Sequence, residues 1–211
     1  MKVKICGIMD AGTALKAVEF GADALGFVFA DSRRKVSPEL VREINAQLPP
    51  EIHKVGVFVN ESKHKVEDIA DYCGLTHIQL HGEESPSFCK GFSLPVIKGF
   101  NIGCHSDLEL VNKYACEGFL LDSPKGVYRG GTGKAFDWSI LQDADLDGKR
   151  IILAGGLNSE NVTAAIRIAN PYMVDVSSGV ETDGKKDLKK IKDFILAAKG
   201  EEPLDENVYD A

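Results

Sequence analysis

The chain has 211 residues, of which 44% are hydrophobic and 27% are charged, with 21 glycines and 8 prolines. This composition is that of a globular protein, and it excludes collagen-like, low-complexity and wholly disordered chains. A formal net charge of −7 without any basic run argues against nucleic acid as a partner. No apolar stretch approaches the roughly 18 residues that a membrane-spanning helix needs, so no membrane partner is expected.

Eight short apolar runs rich in β-branched residues recur along the chain, with a polar loop and an amphipathic stretch between them. They lie at residues 3–6, 24–29, 54–59, 77–80, 95–100, 118–122, 150–155 and 173–178. Their spacing of about 25 residues is too long for hairpins and is typical of β-α units, in which a crossover joins parallel strands. The runs are apolar on both faces, as parallel strands covered by helices are expected to be.

The stretches between these runs show the spacing of amphipathic helices. Ser37 followed by Pro38 predicts the start of the second helix, because serine caps a helix well and proline fits the first helical position. Asn158 is the predicted cap of the helix after the seventh run. The last helix has the clearest apolar stripe, formed by Leu188, Ile191, Phe194, Ile195 and Ala198.

The eight alternations predict an α/β fold, a single-domain (βα)8 TIM barrel with a closed parallel eight-stranded sheet. The alternative is a doubly wound open sheet, which usually needs only five to seven strands. No linker divides residues 1–199, so they are predicted to form one domain. Residues 200–211 hold five acidic and no basic side chains and are predicted to be a disordered tail.

In such a barrel, side chains at the C-terminal ends of the strands face the mouth where active sites lie. Reactive or polar side chains stand at five of these ends: Cys6, Arg34, Gln79, His81, Asp122 and Asp175. The sequence therefore predicts that a thiol, a guanidinium, an imidazole and carboxyl groups converge on one mouth.

Two glycine and serine turns follow the last two strands. Gly155 and Gly156 end the seventh, and Ser177, Ser178 and Gly179 end the eighth. Phosphate sites of TIM barrels are commonly built from these two loops, because glycine lets backbone N–H groups approach the phosphate oxygens. The turns predict a phosphate site. Either turn alone is also explained as a tight turn with no ligand.

The other glycine cluster, residues 130–134, is not a phosphate-binding Walker loop. Tyr128 stands where that motif needs its first glycine, and Ala135 replaces the required serine or threonine. We predict that this segment is a mobile lid after the sixth strand.

Nine segments of the chain match one enzyme family in order, from residue 2 to residue 199. They are KICGI (4–8), GADALGFVF (21–29), SRRKVSPE (32–39), VGVFVNE (55–61), IQLHGEE (78–84), LLDS (120–123), GGTGKAFDW (130–138), LAGGLN (153–158) and VDVSSGVE (174–181). These segments resemble the phosphoribosylanthranilate isomerases of tryptophan biosynthesis, and the first and last together are highly specific. Met9, where the family usually has threonine, and the acidic tail depart from the pattern.

The resemblance implies a (βα)8 barrel that works without a cofactor. It implies an Amadori rearrangement of N-(5-phosphoribosyl)anthranilate to 1-(2-carboxyphenylamino)-1-deoxyribulose 5-phosphate. It further implies that Asp122 is the general acid, that Cys6 is the general base and that Arg34 contacts the anthranilate carboxylate. From the residues alone, Arg34 is also explained as a solvated loop arginine. Asp175 is assigned to a sugar hydroxyl because its charge does not suit a phosphate, or else it anchors its loop. Gln79 and His81 either line the substrate site or only form hydrogen bonds at a strand end.

The rearrangement needs one acid to open the ribose ring and one base to take a proton from the adjacent carbon, and no metal or nicotinamide. The ordinary pKa values of Asp (~3.9) and Cys (~8.5) favour the opposite protonation states at neutral pH. We therefore predict an apolar site that keeps some Asp122 protonated. We also predict that positive potential, from Arg34 or helix N-termini, favours the Cys6 thiolate. From the residues alone, Cys6 is also explained as a buried small side chain and Asp122 as a loop cap.

The remaining reactive side chains carry no predicted chemistry. The five cysteines show no C-x-x-C pair and no zinc spacing, which predicts free thiols, no metal and a cytoplasmic protein. The histidines at 53, 64, 77 and 105 are predicted to be structural. The expected partner is a small phosphosugar, and the expected state is a monomer or weak homodimer.

Three other functions fit the sequence less well. The histidine-pathway aminoaldose isomerase binds two phosphates with two carboxylates on a duplicated chain, whereas this chain shows one phosphate signature and a thiol. A metal-dependent phosphosugar epimerase needs clustered His and Asp ligands, and the sequence shows no such cluster. A non-catalytic module that only binds phosphoribosyl ligands would have no need of both Cys6 and Asp122.

Overall fold

The computed structural model describes residues 1–123, 138–141, 146 and 148–200. In this part of the chain eight parallel strands pair in sequence order and close into a barrel, because the first strand pairs with both the second and the eighth. The strands are β1 (Lys2–Cys6), β2 (Ala24–Val28), β3 (His53–Phe58), β4 (His77–Leu80), β5 (Val96–Asn101), β6 (Gly118–Asp122), β7 (Ile151–Leu153) and β8 (Met173–Val176). The predicted closed barrel is confirmed, and each predicted run agrees with its strand to within two residues at either end.

Helices cover the outside of the barrel. They are α1 (Ala11–Glu19), α2 (Pro38–Asn45), α3 (Lys63–Cys73), α4 (His105–Val111), α5 (Val162–Ala169) and α6 (Leu188–Lys199). Ser37 caps α2 as predicted, since its hydroxyl accepts a hydrogen bond from the N–H of Leu40 at 3.3 Å.

The predicted start of α5 is wrong by about one turn. The helix begins at Val162 behind Asn161, not behind Asn158. The Asn158 side chain instead accepts from the N–H groups of Glu160 and Asn161 at 2.9 and 3.1 Å, so it caps a turn that precedes the helix.

The β-α alternation is also less regular than the sequence pattern predicts. Residues 81–95, between β4 and β5, contain no α-helix. After β6 the described residues include a 3₁₀ turn at Trp138–Leu141. After β8 a short antiparallel hairpin, β9 (Glu181–Thr182) and β10 (Lys185–Lys186), precedes α6.

The core has two parts, because successive residues of each strand point to opposite faces. Outward side chains such as Val3, Ile5 and Phe27 pack against the helices. The barrel interior holds a smaller apolar cluster of Ala24, Val55, Ile97, Leu120, Ile152, Ala154 and Met173. Each buried aliphatic side chain contributes about 1.5–3 kcal/mol of transfer free energy.

The prediction of strands that are apolar on both faces is wrong for the inner face of β1 and β8. Lys4 and Asp175 are both buried there, 0% and 8% exposed. They occupy opposing positions in the register of the two strands and form an ion pair.

The predicted lid at residues 130–134 and the acidic tail from residue 201 lie outside the described residues. Across the ranges that the structure describes, no helix has both the length and the apolarity needed to cross a membrane.

Candidate active site

Cys6 ends β1 on the inner face of the barrel, 8% exposed. Gly26 stands opposite it on β2. A Cβ atom added to Gly26 would lie 2.8 Å from the Cys6 sulfur and 3.2 Å from the ammonium nitrogen of Lys4. The space that this glycine leaves open is therefore what admits the thiol and the ammonium together.

Lys4 and Asp175 form a buried ion pair beside Cys6, with 2.8 Å between Nζ and Oδ1. The Lys4 ammonium and the Cys6 sulfur also lie side by side next to Gly26. Burial alone would lower the pKa of Lys4, but Asp175 and Cys6 reverse this effect, so that the pKa is raised and the ammonium stays charged. Sequence reasoning missed Lys4, because its partner lies 171 residues away.

The electrostatics of Cys6 differ from the prediction. Burial raises the pKa of the thiol above its ordinary value, and Lys4 opposes that rise without cancelling it. Neighbouring cations therefore favour the thiolate, as predicted, but burial outweighs them. The largest of these effects comes from Lys4, which the sequence prediction did not name.

Asp122 ends β6 beside His81. Its Oδ2 lies 3.7 Å from His81 Nε2, and its Oδ1 accepts from the N–H of Ser123 at 2.7 Å. The other ring nitrogen of His81 is 3.1 Å from the side-chain amide of Gln79. The ends of β4 and β6 thus join three predicted site residues in one polar chain.

The backbone around Asp122 needs glycine on two sides. Gly155 has φ +83°, and a Cβ there would lie 2.9 Å from Asp122 Oδ1 and would also collide with Ser123. A Cβ at Gly99 on β5 would lie 2.6 Å from His81 Nδ1. Bare backbone therefore makes room for both the carboxyl group and the imidazole.

Arg34 is held by a carboxylate that sequence reasoning missed. Its Nε and Nη2 donate to the two oxygens of Glu181 at 2.6 and 2.8 Å, and Lys186 donates to the same carboxylate at 2.9 Å. Burial alone would raise the pKa of Glu181, but the hydrogen bonds from Arg34 and Lys186 hold it at about 2. The β9–β10 hairpin therefore carries the groups that orient Arg34.

A cavity of about 210 Å³ opens at this end of the barrel. Charged side chains from three strand ends line it, together with both predicted phosphate turns: Arg34, Asp122, Ala154, Gly155, Gly156, Leu157, Asp175, Val176, Ser177, Ser178 and Gly179. The structure thus brings eight of the eleven predicted site residues to one cavity. The other three adjoin it: the Cys6 carbonyl accepts a hydrogen bond from Ser177, and His81, next to Gln79, lies beside Asp122.

The two turns form the wall of the cavity with main chain. Gly155 and Gly156 both have positive φ, +83° and +67°. Gly179 lies so close to the Leu157 carbonyl that a Cβ would overlap its oxygen. The Ser177 hydroxyl, predicted to bind phosphate, donates to the Cys6 carbonyl at 3.1 Å and so joins the end of β8 to the end of β1.

None of the four histidines predicted to be structural lines this cavity. His53 and His77 begin β3 and β4 and line a second cavity of about 150 Å³ at the opposite end, with Lys2, Arg150 and Tyr172. His64 and His105 lie at the starts of α3 and α4. All five cysteines are free thiols, as predicted.

The chain was also compared with known proteins. Residues 3–197 match the family model described as N-(5'-phosphoribosyl)anthranilate (PRA) isomerase. An N-(5'-phosphoribosyl)anthranilate isomerase of Bacillus mycoides (strain KBAB4) is 52% identical over 200 residues, which are 94% of this chain and 98% of the relative.

Solved structures give the same result. The phosphoribosyl anthranilate isomerase of Thermotoga maritima superposes with a TM-score of 0.87 at 46% identity, over 95% of this chain and 99% of that one. A second isomerase structure, in complex with reduced 1-(o-carboxyphenylamino)-1-deoxyribulose 5-phosphate, gives a TM-score of 0.84 at 44% identity and the same coverage. The chain therefore belongs to the N-(5'-phosphoribosyl)anthranilate isomerase family.

Proposed function

We propose that this protein converts N-(5-phosphoribosyl)anthranilate to 1-(2-carboxyphenylamino)-1-deoxyribulose 5-phosphate in L-tryptophan biosynthesis. Family membership and the relative that holds the reduced product support this activity. The observation that carries it is the placement of Cys6 and Asp122 at the ends of β1 and β6, at the mouth that also holds the glycine-walled cavity. Residues 1–199 are proposed as the catalytic domain.

In the proposed mechanism Asp122 is the general acid. It protonates the ring oxygen of the ribose, the bond from that oxygen to the anomeric carbon breaks, and the anthranilate nitrogen stabilises the open form as an iminium ion. The Cys6 thiolate then removes the proton from the adjacent carbon, and the resulting enolamine tautomerises to the ketone. The rearrangement is internal to the sugar, so one acid and one base complete it.

The surrounding groups supply the binding contacts. The main chain of Gly155, Gly156 and residues 177–179 is proposed to hold the phosphate, because glycine allows backbone to approach the oxygens closely. Arg34 is proposed to face the anthranilate carboxylate, oriented by Glu181 from its other edge.

Three further side chains complete the proposed site. Asp175 still lines the cavity after pairing with Lys4, and we propose that it accepts a hydrogen bond from a sugar hydroxyl. Gln79 and His81 are proposed to act through Asp122, since His81 lies between the amide and the carboxyl group.

The direct test follows the fluorescence decay of freshly made phosphoribosylanthranilate with and without the protein. Turnover by the wild type should fall by at least about 100-fold in Cys6→Ser and in Asp122→Asn, since each removes a proton-transfer group. Cys104→Ser, which changes an exposed thiol, serves as the matched control and should turn over normally. Binding without turnover by the wild type would contradict the proposal and favour a binding module.

The pH dependence gives a second test. The rate should rise with pH as the Cys6 thiol ionises and fall again as the acid loses its proton. Because burial raises the pKa of Cys6, whereas an aspartic acid ordinarily has a much lower pKa, the two midpoints should be well separated by a plateau. The two midpoints belong to the acid-base pair and not to either group. With chemistry rate-limiting, a rate that falls neither at low pH nor at high pH while the protein stays folded would contradict these roles.

We further propose that the enzyme is cytoplasmic, needs no cofactor and is a monomer or weak homodimer. The chemistry supports cofactor independence, since the rearrangement needs only an acid and a base. Activity should survive extensive treatment with a chelator. A loss that added metal restores would contradict cofactor independence, and sedimentation at several protein concentrations would measure the oligomeric state.

A further inference from the structure

The proposed reaction assigns no role to Lys4, although its side chain is fully buried inside the barrel. A buried ammonium is costly to desolvate, and an apolar side chain of similar volume would fill the same space without that cost. The ion pair with Asp175 offsets part of the cost but does not explain why a charge stands there. The neighbourhood of Lys4 suggests a reason.

Strand geometry brings the ammonium to the thiol. Lys4 and Cys6 are two residues apart on β1, so both point into the barrel, about 7 Å apart along the strand. The long side chain of Lys4 covers that distance, since its nitrogen and the Cys6 sulfur reach the same small space beside Gly26. The ammonium therefore pairs with the Asp175 carboxylate at 2.8 Å and lies beside the Cys6 sulfur.

Four charged side chains from different parts of the chain act on Cys6. Lys4 lies on its own strand, Asp175 on β8, Lys186 on β10 and Arg34 in the segment after β2. Glu181 on β9 takes up Arg34 and Lys186 through short ion pairs. This leaves Lys4 as the cation that shares the space beside Gly26 with the sulfur.

We propose that Lys4 is a positioning residue for Cys6: its ammonium fixes the sulfur at the cavity wall and balances the negative charge after the thiol has given up its proton. The inference depends on the proposed function, in which that thiolate is the general base. When the sulfur takes the proton from the sugar carbon and becomes neutral, Asp175 keeps the ammonium paired. Asp175 thus competes with Cys6 for one cation.

This competition makes a prediction that a purely structural role does not. Removing the ammonium in Lys4→Met takes away the counter-ion of the thiolate, so the thiol should ionise at higher pH. Removing the competing carboxylate in Asp175→Asn leaves Lys4 to Cys6 alone, so the thiol should ionise at lower pH. A general loss of packing would move both variants in the same direction.

The experiment measures the rate at which iodoacetamide alkylates Cys6 in the intact folded protein, from about pH 6 to about pH 10, by mass spectrometry of the peptide that contains it. At neutral pH the rate should fall about tenfold or more in Lys4→Met and should rise in Asp175→Asn, as expected for a change of at least one pH unit in the midpoint. The control is Lys2→Met on the same face of the same strand, which should leave the rate unchanged.

A turnover measurement completes the test. Lys4→Met should lower kcat more than it raises KM and should move the limb of the pH profile that reports Cys6 to higher pH. Because this variant leaves Asp175 buried without its cation, the double variant Lys4→Met/Asp175→Asn is measured as well. It removes both charges, and it should fold and alkylate slowly if the loss of the ammonium is the cause.

The outcomes separate the two proposals. If Cys6→Ser is inactive while Lys4→Met changes neither the alkylation midpoint nor the pH profile, the role of Lys4 is wrong and the proposed function stands. If Cys6→Ser keeps full activity, the thiol is not the base, and opposite shifts in the two single variants would establish only the coupling of Lys4 to Cys6. Shifts in the same direction would overturn that coupling.

Discussion

At the scale of single residues, the cavity depends on glycines, because a Cβ atom at their positions would fill the site or collide with its wall. Gly26 makes room for Cys6 and Lys4, Gly155 for Asp122, and Gly179 for the Leu157 carbonyl. In each case a methyl group would lie closer to these atoms than van der Waals contact allows. These positions therefore shape the cavity by close approach as much as by backbone conformation.

Gly179→Ala tests this dependence. The new methyl group would overlap the Leu157 oxygen, and since that contact is backbone, the turns after β7 and β8 must separate. We expect a cost of about 1–3 kcal/mol in unfolding free energy and a clear rise in KM, because the proposed phosphate wall moves. Gly74→Ala is the control, since Gly74 has φ +64° but no atom within 4 Å of the new methyl group. It should lose stability without a change in KM, and equal KM values in the two variants would contradict the role of Gly179.

The sequence predicts single residues well where their position in an element identifies them. Cys6 and Asp122 stand at strand ends, so the barrel hypothesis alone places them at the mouth. Lys4 and Glu181 could not be predicted in this way. Their partners, Asp175 and Arg34, lie 171 and 147 residues away, and only the closed fold brings them together.

At the scale of elements, the connection from β4 to β5 replaces a helix with a polar network. Lys98 donates to the carbonyls of Leu80, Gly82 and Gly99 at 3.3, 2.8 and 2.9 Å and pairs with the Glu84 carboxylate at 3.2 Å. Both charged side chains are almost fully buried, with 3% and 2% exposure. This network fixes the loop that follows His81.

Lys98→Met should therefore be strongly destabilising. It leaves the buried Glu84 carboxylate without its cation, and we expect a loss of about 3–5 kcal/mol in urea unfolding. The double variant Lys98→Met/Glu84→Gln removes both charges and should recover part of the loss. The interpretation would be wrong if the single variant cost less than about 1 kcal/mol, the value typical of an exposed pair.

At the scale of the whole molecule, the two mouths of the barrel differ in charge. The cavity proposed as the active site balances Arg34 against carboxylates, whereas the opposite mouth gathers Lys2, His53 and His77. Burial, aided by the charges of His53 and Lys2, lowers the pKa of His77 to about 4. The His77 imidazole therefore stays neutral to a lower pH than an ordinary histidine.

This shift predicts how stability depends on pH. The folded chain holds His77 at a pKa of about 4, below the ordinary value of 6.5, so the unfolded chain binds the proton more tightly. The contribution of His77 is fully present above pH 6.5 and is lost as the pH falls from there toward 4. In His77→Gln the urea midpoint should fall less steeply over this window than in the wild type. The control is His105→Gln at the start of α4, which should keep the wild-type slope, and identical slopes for His77→Gln and the wild type would contradict the prediction.

The architecture as a whole could be read from the spacing of apolar runs, because eight strands at regular intervals leave few alternatives to closure. The pattern could not reveal where a helix is missing. The segment between β4 and β5 has the usual length, but a buried salt bridge holds it, and partners such as Lys98 and Glu84 look like surface charges in a sequence.

Closure of the barrel also sets the order in which the chain becomes stable during folding. A chain folded only as far as β7 would have the Lys4 ammonium in an apolar interior without its carboxylate, which is unfavourable by several kcal/mol. The first strand therefore gains its full stability only when the last one docks beside it. During refolding, the slowing of Cys6 alkylation and the return of turnover would time that final docking, whereas circular dichroism would record the earlier appearance of helices.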